Sequence, residues 1–435
     1  MNRFFKYSGI ILTCILASSL QLYAQDGSFF SETAGLSEDK PALSIGGKAI
    51  SQVRYFMDYE DPESSEIESF PELRLDFDYD NENSSMTAKL IFSRDKIYSG
   101  IEDIIDEAYT TVYFSNFNIE TGFMKVVWGK GDELKALDIL NPIDYTDFYN
   151  KTLLERKKAA LMVKLNKYTG LNSLLELVYI PVYTSVQFDS AEDGRWAPYS
   201  VRQLSAFDAA GGTVSYKDTD TLEYSQAAAR FTSTFNGFDY GFLYSYGFTP
   251  LPAAAVKTPG LIEVKPQRAH IFGAEAAKVL FGLNTRAEAG YFLTEDIEGN
   301  DSDVKNNLLI WVAGFDKDLP LSQLNFLAET QGTYILSNSG LKSGDVDYSE
   351  SGDYSQNIII LRLKDSWAHE KIQPQISATV HIEDGDFMLK PSVALIPKDD
   401  VKFEFLCTLF EGDEDTVFGV YDDNDFIQAK FTFSF

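Results

Sequence analysis

The stretch Leu73-Arg74-Leu75-Asp76-Phe77-Asp78-Tyr79-Asp80 alternates without a break. Leu73, Leu75, Phe77 and Tyr79 fall on one side, and Arg74, Asp76, Asp78 and Asp80 on the other. A period of two with one apolar and one wet face is a β-strand, because successive side chains point to opposite sides of the backbone. Residues 238–246, 401–409 and 427–435 repeat the pattern, with aromatics prominent on the apolar face. No segment after the N-terminal leader offers 18 consecutive apolar residues, so the sequence predicts no transmembrane helix. A soluble sandwich alternates as well, and the connections decide between the two.

Those connections come in two lengths that take turns. Short links fall at 117–118, 167–171, 236–237, 281–282, 317–321 and 397–400. Long ones fall at 58–69, 129–155, 183–221, 249–266, 295–305, 337–355 and 411–425, and are rich in Asp, Glu, Ser, Gly and Pro. Asn236-Gly237 is a hairpin signal. A short–long rhythm fits an up-and-down transmembrane β-barrel with periplasmic turns and extracellular loops. Strand starts are predicted near residues 43, 70, 87, 105, 118, 157, 172, 222, 237, 268, 283, 307, 323, 356, 371, 387, 401 and 426. The reading is therefore an all-β, antiparallel barrel of about 18 strands over residues 43–435, with 16 as the alternative. The 14% aromatic content, 33 Phe and 24 Tyr against 4 Trp, favours strands as well.

The chain opens with Arg3 and Lys6, an apolar run near residues 10–20, then Leu22-Tyr23-Ala24. This pattern predicts a cleaved signal peptide over residues 1–24, with residues 25–42 as a short periplasmic segment. Of 435 residues, 37 are Lys or Arg and 66 are Asp or Glu, a net charge of −29. Phosphates would be repelled, so no nucleic-acid partner is expected. Cys14 and Cys407 exclude a disulfide framework and a multi-cysteine zinc site, and three histidines leave little for a His-built metal centre. Neither a cofactor nor a metal is expected.

At the other end Phe431, Phe433 and Phe435 share a face, and Phe435 is the last residue. The pattern resembles the C-terminal strand signature of bacterial outer-membrane barrels. That resemblance implies reading by the barrel-assembly machinery, with outer-membrane lipid as the surroundings.

A second resemblance covers roughly residues 118–198. The segment 120–132 holds Gly122, Trp128 and Gly129, and is followed by Asn141-Pro142-Ile143-Asp144. It resembles a family of porin-like outer-membrane barrels of Gram-negative bacteria, in which a strand G-R-Q-x-x-x-W-G precedes a loop with N-P-x-D. Phe123 and Met124 stand where the family has Arg-Gln. Tyr179-Ile180-Pro181-Val182-Tyr183 and Gly194-Arg195-Trp196 also resemble its pattern. The resemblance implies a large outer-membrane barrel that passes solutes or hydrophobic compounds.

Physically, Trp128 is expected to end a strand at the outer membrane–water interface, where Trp is favoured. Gly129 and Gly131 would then let the chain turn. The segment 129–155, with Asp138, Asn141, Pro142 and Asp144, could fold inward as a constriction loop or stay outside as a solvated one. Placing apolar faces toward lipid leaves a lumen set. It contains Lys48, Arg54, Arg74, Asp76, Asp78, Lys89, Lys158, Lys164, Arg230, Glu275, Arg286, Glu288, Glu329, Arg362, Lys364, Lys390, Lys402 and Glu404. The acidic excess thus belongs mostly to the loops. Arg286, Glu288, Glu275 and Glu329 are read either as a salt-bridge ladder or as a solute-binding track.

No enzyme is predicted. G-x-S-x-G, H-E-x-x-H and P-loop motifs are absent from the sequence. Ser377 and His381 lie two pleats apart on one strand, out of hydrogen-bond reach, and His270 and His369 stand alone. The functional expectation is a passive channel for small solutes with a polar lumen in the bacterial outer membrane. The alternatives are a plugged transporter of hydrophobic compounds, for which Leu406 and Phe410 on the lumen face argue, or a surface adhesin. The oligomeric state is not legible.

Overall fold

The computed structural model describes residues 42–57, 66–189 and 194–435. The predicted signal peptide and nearly all of the 25–42 segment lie outside the described residues.

Among the described residues twenty-one strands follow in chain order. They are β1 (Ala42–Phe56), β2 (Ile67–Asn81), β3 (Ser84–Ser93), β4 (Ile105–Tyr113), β5 (Phe117–Met124), β6 (Ala160–Tyr168), β7 (Ser173–Ile180), β8 (Thr213–Tyr216), β9 (Gln226–Phe235), β10 (Phe238–Phe248), β11 (Ala253–Thr258), β12 (Leu261–Lys265), β13 (Arg268–Leu280), β14 (Leu283–Thr294), β15 (Leu308–Asp318), β16 (Asn325–Ile335), β17 (Ser355–Lys364), β18 (Ile372–His381), β19 (Phe387–Lys398), β20 (Val401–Glu411) and β21 (Phe426–Ser434). Eighteen of them form one antiparallel sheet, each paired to its neighbours around the ring. β1 pairs with β2 on one side and with β21 on the other, so the sheet closes. The count is 18 rather than 16. Closure leaves no unpaired edge, which a strand protein in lipid requires.

The hairpin signals act as expected. Asn236 (φ 49°) and Gly237 (φ 69°) both take the left-handed conformation between β9 and β10, and Phe281 (φ 54°) and Gly282 (φ 75°) do so between β13 and β14. Two consecutive positive φ angles make the turn whose twist matches the flanking strands.

Short links and long loops alternate with one exception. β18 passes to β19 through residues 382–386 alone, although this link lies at the long-loop end. The loops also contain structure that the sequence reading left irregular. Residues Tyr199–Ala209 form a helix, and β8, β11 and β12 form a small separate sheet. That sheet joins the 181–225 and 249–267 loops, since β8 pairs in parallel with β12. Short helices at Arg94–Ser99 and Ile101–Ile104 link β3 to β4. None of the helices among the described residues is long and apolar enough to cross a membrane.

The outer surface is apolar. Leu177, Phe242, Phe272, Leu361, Ile376 and Phe405 are exposed around the waist. Phe114, Tyr168, Phe235, Phe281 and Phe435 are exposed at the short-turn end, and Tyr55, Tyr179, Tyr246 and Tyr334 toward the other. A closed barrel with an apolar band between two aromatic girdles has the architecture of a bacterial outer-membrane protein.

The last residue takes part in closure. Gly47 N–H donates to the Phe435 carbonyl at 2.9 Å, and Phe435 N–H donates to the Gly47 carbonyl at 3.0 Å. A side chain on Gly47 would meet the Arg74 carbonyl and the Phe435 ring, so the ring occupies the space a Cβ would fill there. Deleting Phe435 is expected to cut the yield of folded, inserted barrel several-fold, read as the heat-shifted band on a gel. An unchanged yield would show that this residue is dispensable for closure and assembly.

Candidate constriction site

Between β5 and β6 lies a long loop, residues 125–159, slightly wider than the predicted 129–155. It meets side chains on β1, β2, β7, β14, β16, β17 and β19. A segment that touches strands so far around the ring lies inside it.

Its shape comes from its own polar residues. Asn141 Oδ1 accepts the Val126 N–H at 2.7 Å, and its Nδ2 donates to the carbonyls of Met124 and Lys158, each at 2.9 Å. One buried side chain thus pins the end of β5 to the approach to β6. Asp138 Oδ1 accepts the Trp128 N–H at 3.2 Å and the Lys157 ammonium. Burial pushes the Lys157 ammonium down from its usual range, against the pull of Asp138. Asp144 Oδ1 accepts both the N–H and the hydroxyl of Thr146, and its Oδ2 pairs with Lys151 at 2.7 Å. Asp138, Asn141 and Asp144 are therefore scaffolding inside the loop, and the Pro142 carbonyl accepts the Lys158 N–H at 2.9 Å.

Two wall carboxylates hold the next part. Glu288 Oε1 accepts the N–H groups of Lys130 and Gly131, and its Oε2 accepts those of Ala136 and Leu137 at 2.8 and 3.0 Å. Glu329 Oε1 accepts Asp132 N–H at 2.8 Å, and its Oε2 accepts Glu133 and Leu134 N–H at 2.8 and 2.7 Å. Glu288 is 3% exposed and Glu329 2%. Consecutive N–H groups turned toward one point form an anion-binding nest, and here the anion is the protein's own. Such charge-assisted bonds are among the strong ones. Gly129 (φ 94°) permits the approach, because a Cβ there would lie 2.5 Å from Glu288 Oε1.

The loop also has an apolar side. Val126, Trp128, Ala136, Leu137 and Leu140 pack against Met162, Val178, Leu243, Ile271, Phe292, Ile310 and Val312, which project inward from β6, β7, β10, β13, β14 and β15. Trp128 is 1% exposed. It does not end a strand at the membrane interface as the sequence reading expects; β5 stops at Met124, and Trp128 has followed the loop inside. Its Nε1 donates to Glu176 Oε1 at 3.4 Å. Met124, one of the two departures from the family motif, belongs to the same cluster.

The opposite side of the loop is charged. Arg54 NH2 bonds Asp147 at 2.7 Å, Arg74 NH1 bonds Glu155 at 2.7 Å, and Lys390 Nζ donates to the Tyr149 carbonyl at 2.7 Å. Arg286 bonds Asp132, and Arg362 bonds Glu133. Burial would raise the Glu155 carboxyl, but the Thr152 N–H and the Arg74 guanidinium outweigh it and hold the group at about 2. Its folded-state value lies below the ordinary one, so this tie is intact above the ordinary carboxylate range and is lost as pH falls toward about 2.

Most of the predicted lumen set faces the interior. Arg54, Arg74, Arg286, Glu288, Glu329, Arg362 and Lys390 hold the loop. Arg230 bridges Glu176 at 3.0 Å and Glu275 at 2.6 Å. Of the expected cross-lumen or wall-side ladder, the wall-side form is present where Arg230 joins Glu176 and Glu275 and Arg286 joins Asp316, while Glu288 and Glu329 take backbone N–H groups of the loop. Lys48 stands opposite Arg74, Asp76 opposite Lys89, and Lys164 opposite Glu120, all on the same interior face. Lys364 shares its face with Arg362, and Lys402 pairs with Glu404 at 3.1 Å. Lys48, Asp78 and Lys364 stay exposed. Lys158 lies in the link before β6, half-buried, with its Nζ donating to Gln187 Oε1 at 2.9 Å, and its neighbour Lys157 is the buried one.

Sequence reasoning missed the loop's partners Asp132, Glu133, Asp147 and Glu155, and the wall acid Glu176. Only Glu176 carried a signal, as a lone acid within Leu174-Leu175-Glu176-Leu177. It also missed a second interior cluster near the mouth, where Trp196, Phe410, Phe418, Tyr421 and Phe426 pack with Tyr149 of the loop.

No family model matches the sequence, and no curated protein matches it. Solved structures share the fold. OccK3 (OpdO) of Pseudomonas aeruginosa aligns with a TM-score of 0.51 at 10% identity, over 91% of this chain and 95% of its own. A BenF-like porin from Pseudomonas fluorescens Pf-5 aligns with a TM-score of 0.51 at 8% identity, over 91% of this chain and 98% of its own.

Proposed function

We propose that this barrel is an outer-membrane porin-like channel for passive diffusion of small solutes, constricted by the loop of residues 125–159. The observation that carries the reading is the fixation of that loop across the interior by Glu288 and Glu329. A loop serving only as an outer surface would not be tied by seven backbone N–H groups to the wall. The resemblance to porin-like barrels fits this, because Asn141 and Asp144 of its loop motif build the fold of the loop. In this reading the long loops face outward, the short turns face the periplasm, and solutes cross along the charged interior face that carries Lys48, Asp76, Lys89, Lys164 and Lys364. No catalytic step is involved. Phe431, Phe433 and Phe435 serve as the signal for the assembly machinery.

The apolar interior favours one competing reading, a plugged transporter of hydrophobic compounds, since two apolar clusters, around Leu137 and around Trp196, lie inside the barrel. Single-channel recording of the refolded protein in a planar bilayer separates the two. A channel gives steady ohmic steps, and the sign of its reversal potential under a salt gradient reads whether the lysines or the acids along the path govern selectivity. Folded, inserted protein that passes no current overturns the channel and leaves the plugged transporter or an adhesin.

A further inference from the structure

At the long-loop end, β18 and β19 are joined by Ile382-Glu383-Asp384-Gly385-Asp386. The turn closes tightly, with Gly385 N–H donating to the His381 carbonyl and His381 N–H to the Asp386 carbonyl, each at 3.0 Å. His381, the last residue of β18, is tucked beneath it. Its Nδ1 lies 3.0 Å from Asp384 Oδ2 and 3.3 Å from Asp386 Oδ1. The side chain of His381 is 2% exposed and that of Asp386 0%.

Asp386 Oδ2 accepts the Phe418 N–H at 2.6 Å, which leaves Oδ1 free to point at the ring. Neither His381 Nδ1 nor Asp386 Oδ1 makes a hydrogen bond of usable geometry. Buried polar atoms are rarely left so. The three donor atoms lie within 4.8 Å of one another. An ion bound tetrahedrally through arms of about 2.0–2.1 Å sets its ligands about 3.3–3.4 Å apart, close to the two separations from Nδ1. On the far side of the ring, Glu383 Oε2 lies 3.8 Å from Nε2, too far for a hydrogen bond but close enough to add negative charge beside the imidazole. Glu383 is itself held by the Asn357 N–H at 2.8 Å and the Asn357 amide at 2.6 Å.

We propose that His381 Nδ1, Asp384 Oδ2 and Asp386 Oδ1 bind one divalent transition-metal ion at the mouth of the barrel. One imidazole and two carboxylates suit zinc(II), with water completing the shell. The half-exposed Asp384 provides the way in. Since Asp386 also carries the Phe418 backbone, the ion ties the β18–β19 turn to the 412–425 loop and to the aromatic cluster beside it.

The test is calorimetric titration of tag-free, refolded barrel with zinc chloride. Cobalt(II) in the same site supplies a visible ligand-field spectrum. The expected result is about one zinc per chain, with Asp384→Asn weakening binding at least about 100-fold and His381→Gln abolishing it. Heat-dependent gel mobility checks the folding of each variant. If His381→Gln does not fold, Asp384→Asn decides, because its side chain is 47% exposed and the barrel does not rest on it. Folded wild type that takes up no stoichiometric ion overturns the site, as does Asp384→Asn binding like wild type. The cluster is then an ordinary buried ion pair.

Discussion

The double variant Glu288→Ala/Glu329→Ala is expected to conduct at least about two-fold more current per open channel than wild type, with added flicker, because the narrowest section sets the resistance. The two carboxylates accept seven backbone N–H groups of residues 130–137. Each donor left buried and unpaired costs about 1–3 kcal/mol. Seven such penalties exceed what a short loop segment can absorb, so the segment leaves the wall and its N–H groups turn to water. The barrel itself survives, since its strands are closed by their own backbone ladder. Glu288→Ala alone releases four donors and Glu329→Ala three, so the first is the larger single effect. Planar-bilayer recording reads the result. Unchanged conductance from the folded double variant would falsify the assignment of this loop as the constriction.

Trp128→Ala tests the apolar side of the same loop. Truncating a fully buried Trp costs about 3–5 kcal/mol, from lost transfer free energy and the cavity left behind. Here it also strips Glu176 of the indole N–H. The loss falls on the docking of the loop, so amides of residues 130–137 should exchange with solvent roughly 100- to 1,000-fold faster in hydrogen-exchange mass spectrometry. The same substitution at a lipid interface would leave those amides unchanged. That outcome would return Trp128 to the girdle position its sequence context suggests.

This residue shows where legibility ends. The strand ladder is readable because alternation in a barrel is a local property: lipid on one side and water or protein on the other act on every strand alike. Arg74, Arg230, Arg286, Glu288 and Glu329 could be placed on the interior face from parity alone. Lys158 could not, since it lies where β6 has not yet begun and parity no longer applies. Trp128 failed for a related reason. Past Met124 the chain leaves the sheet, and an indole at a strand end looks the same whether it meets headgroups or a protein core. His381 was weighed against Ser377 alone, because its partners Asp384 and Asp386 meet it only through a tight turn.

The sequence by itself therefore determined the all-β class, the count near 18, the alternating connections, the lipid-facing surface and the parity of the interior charges. These follow from period two and from turn chemistry, both of which act between near neighbours. Only the tertiary structure decided that residues 125–159 enter the barrel, that Glu288 and Glu329 seize their backbone, and that Trp128 and Leu137 build a core there. The carboxylate contacts join residues more than 150 positions apart, and backbone N–H groups carry no side-chain signature of the carboxylate that will find them.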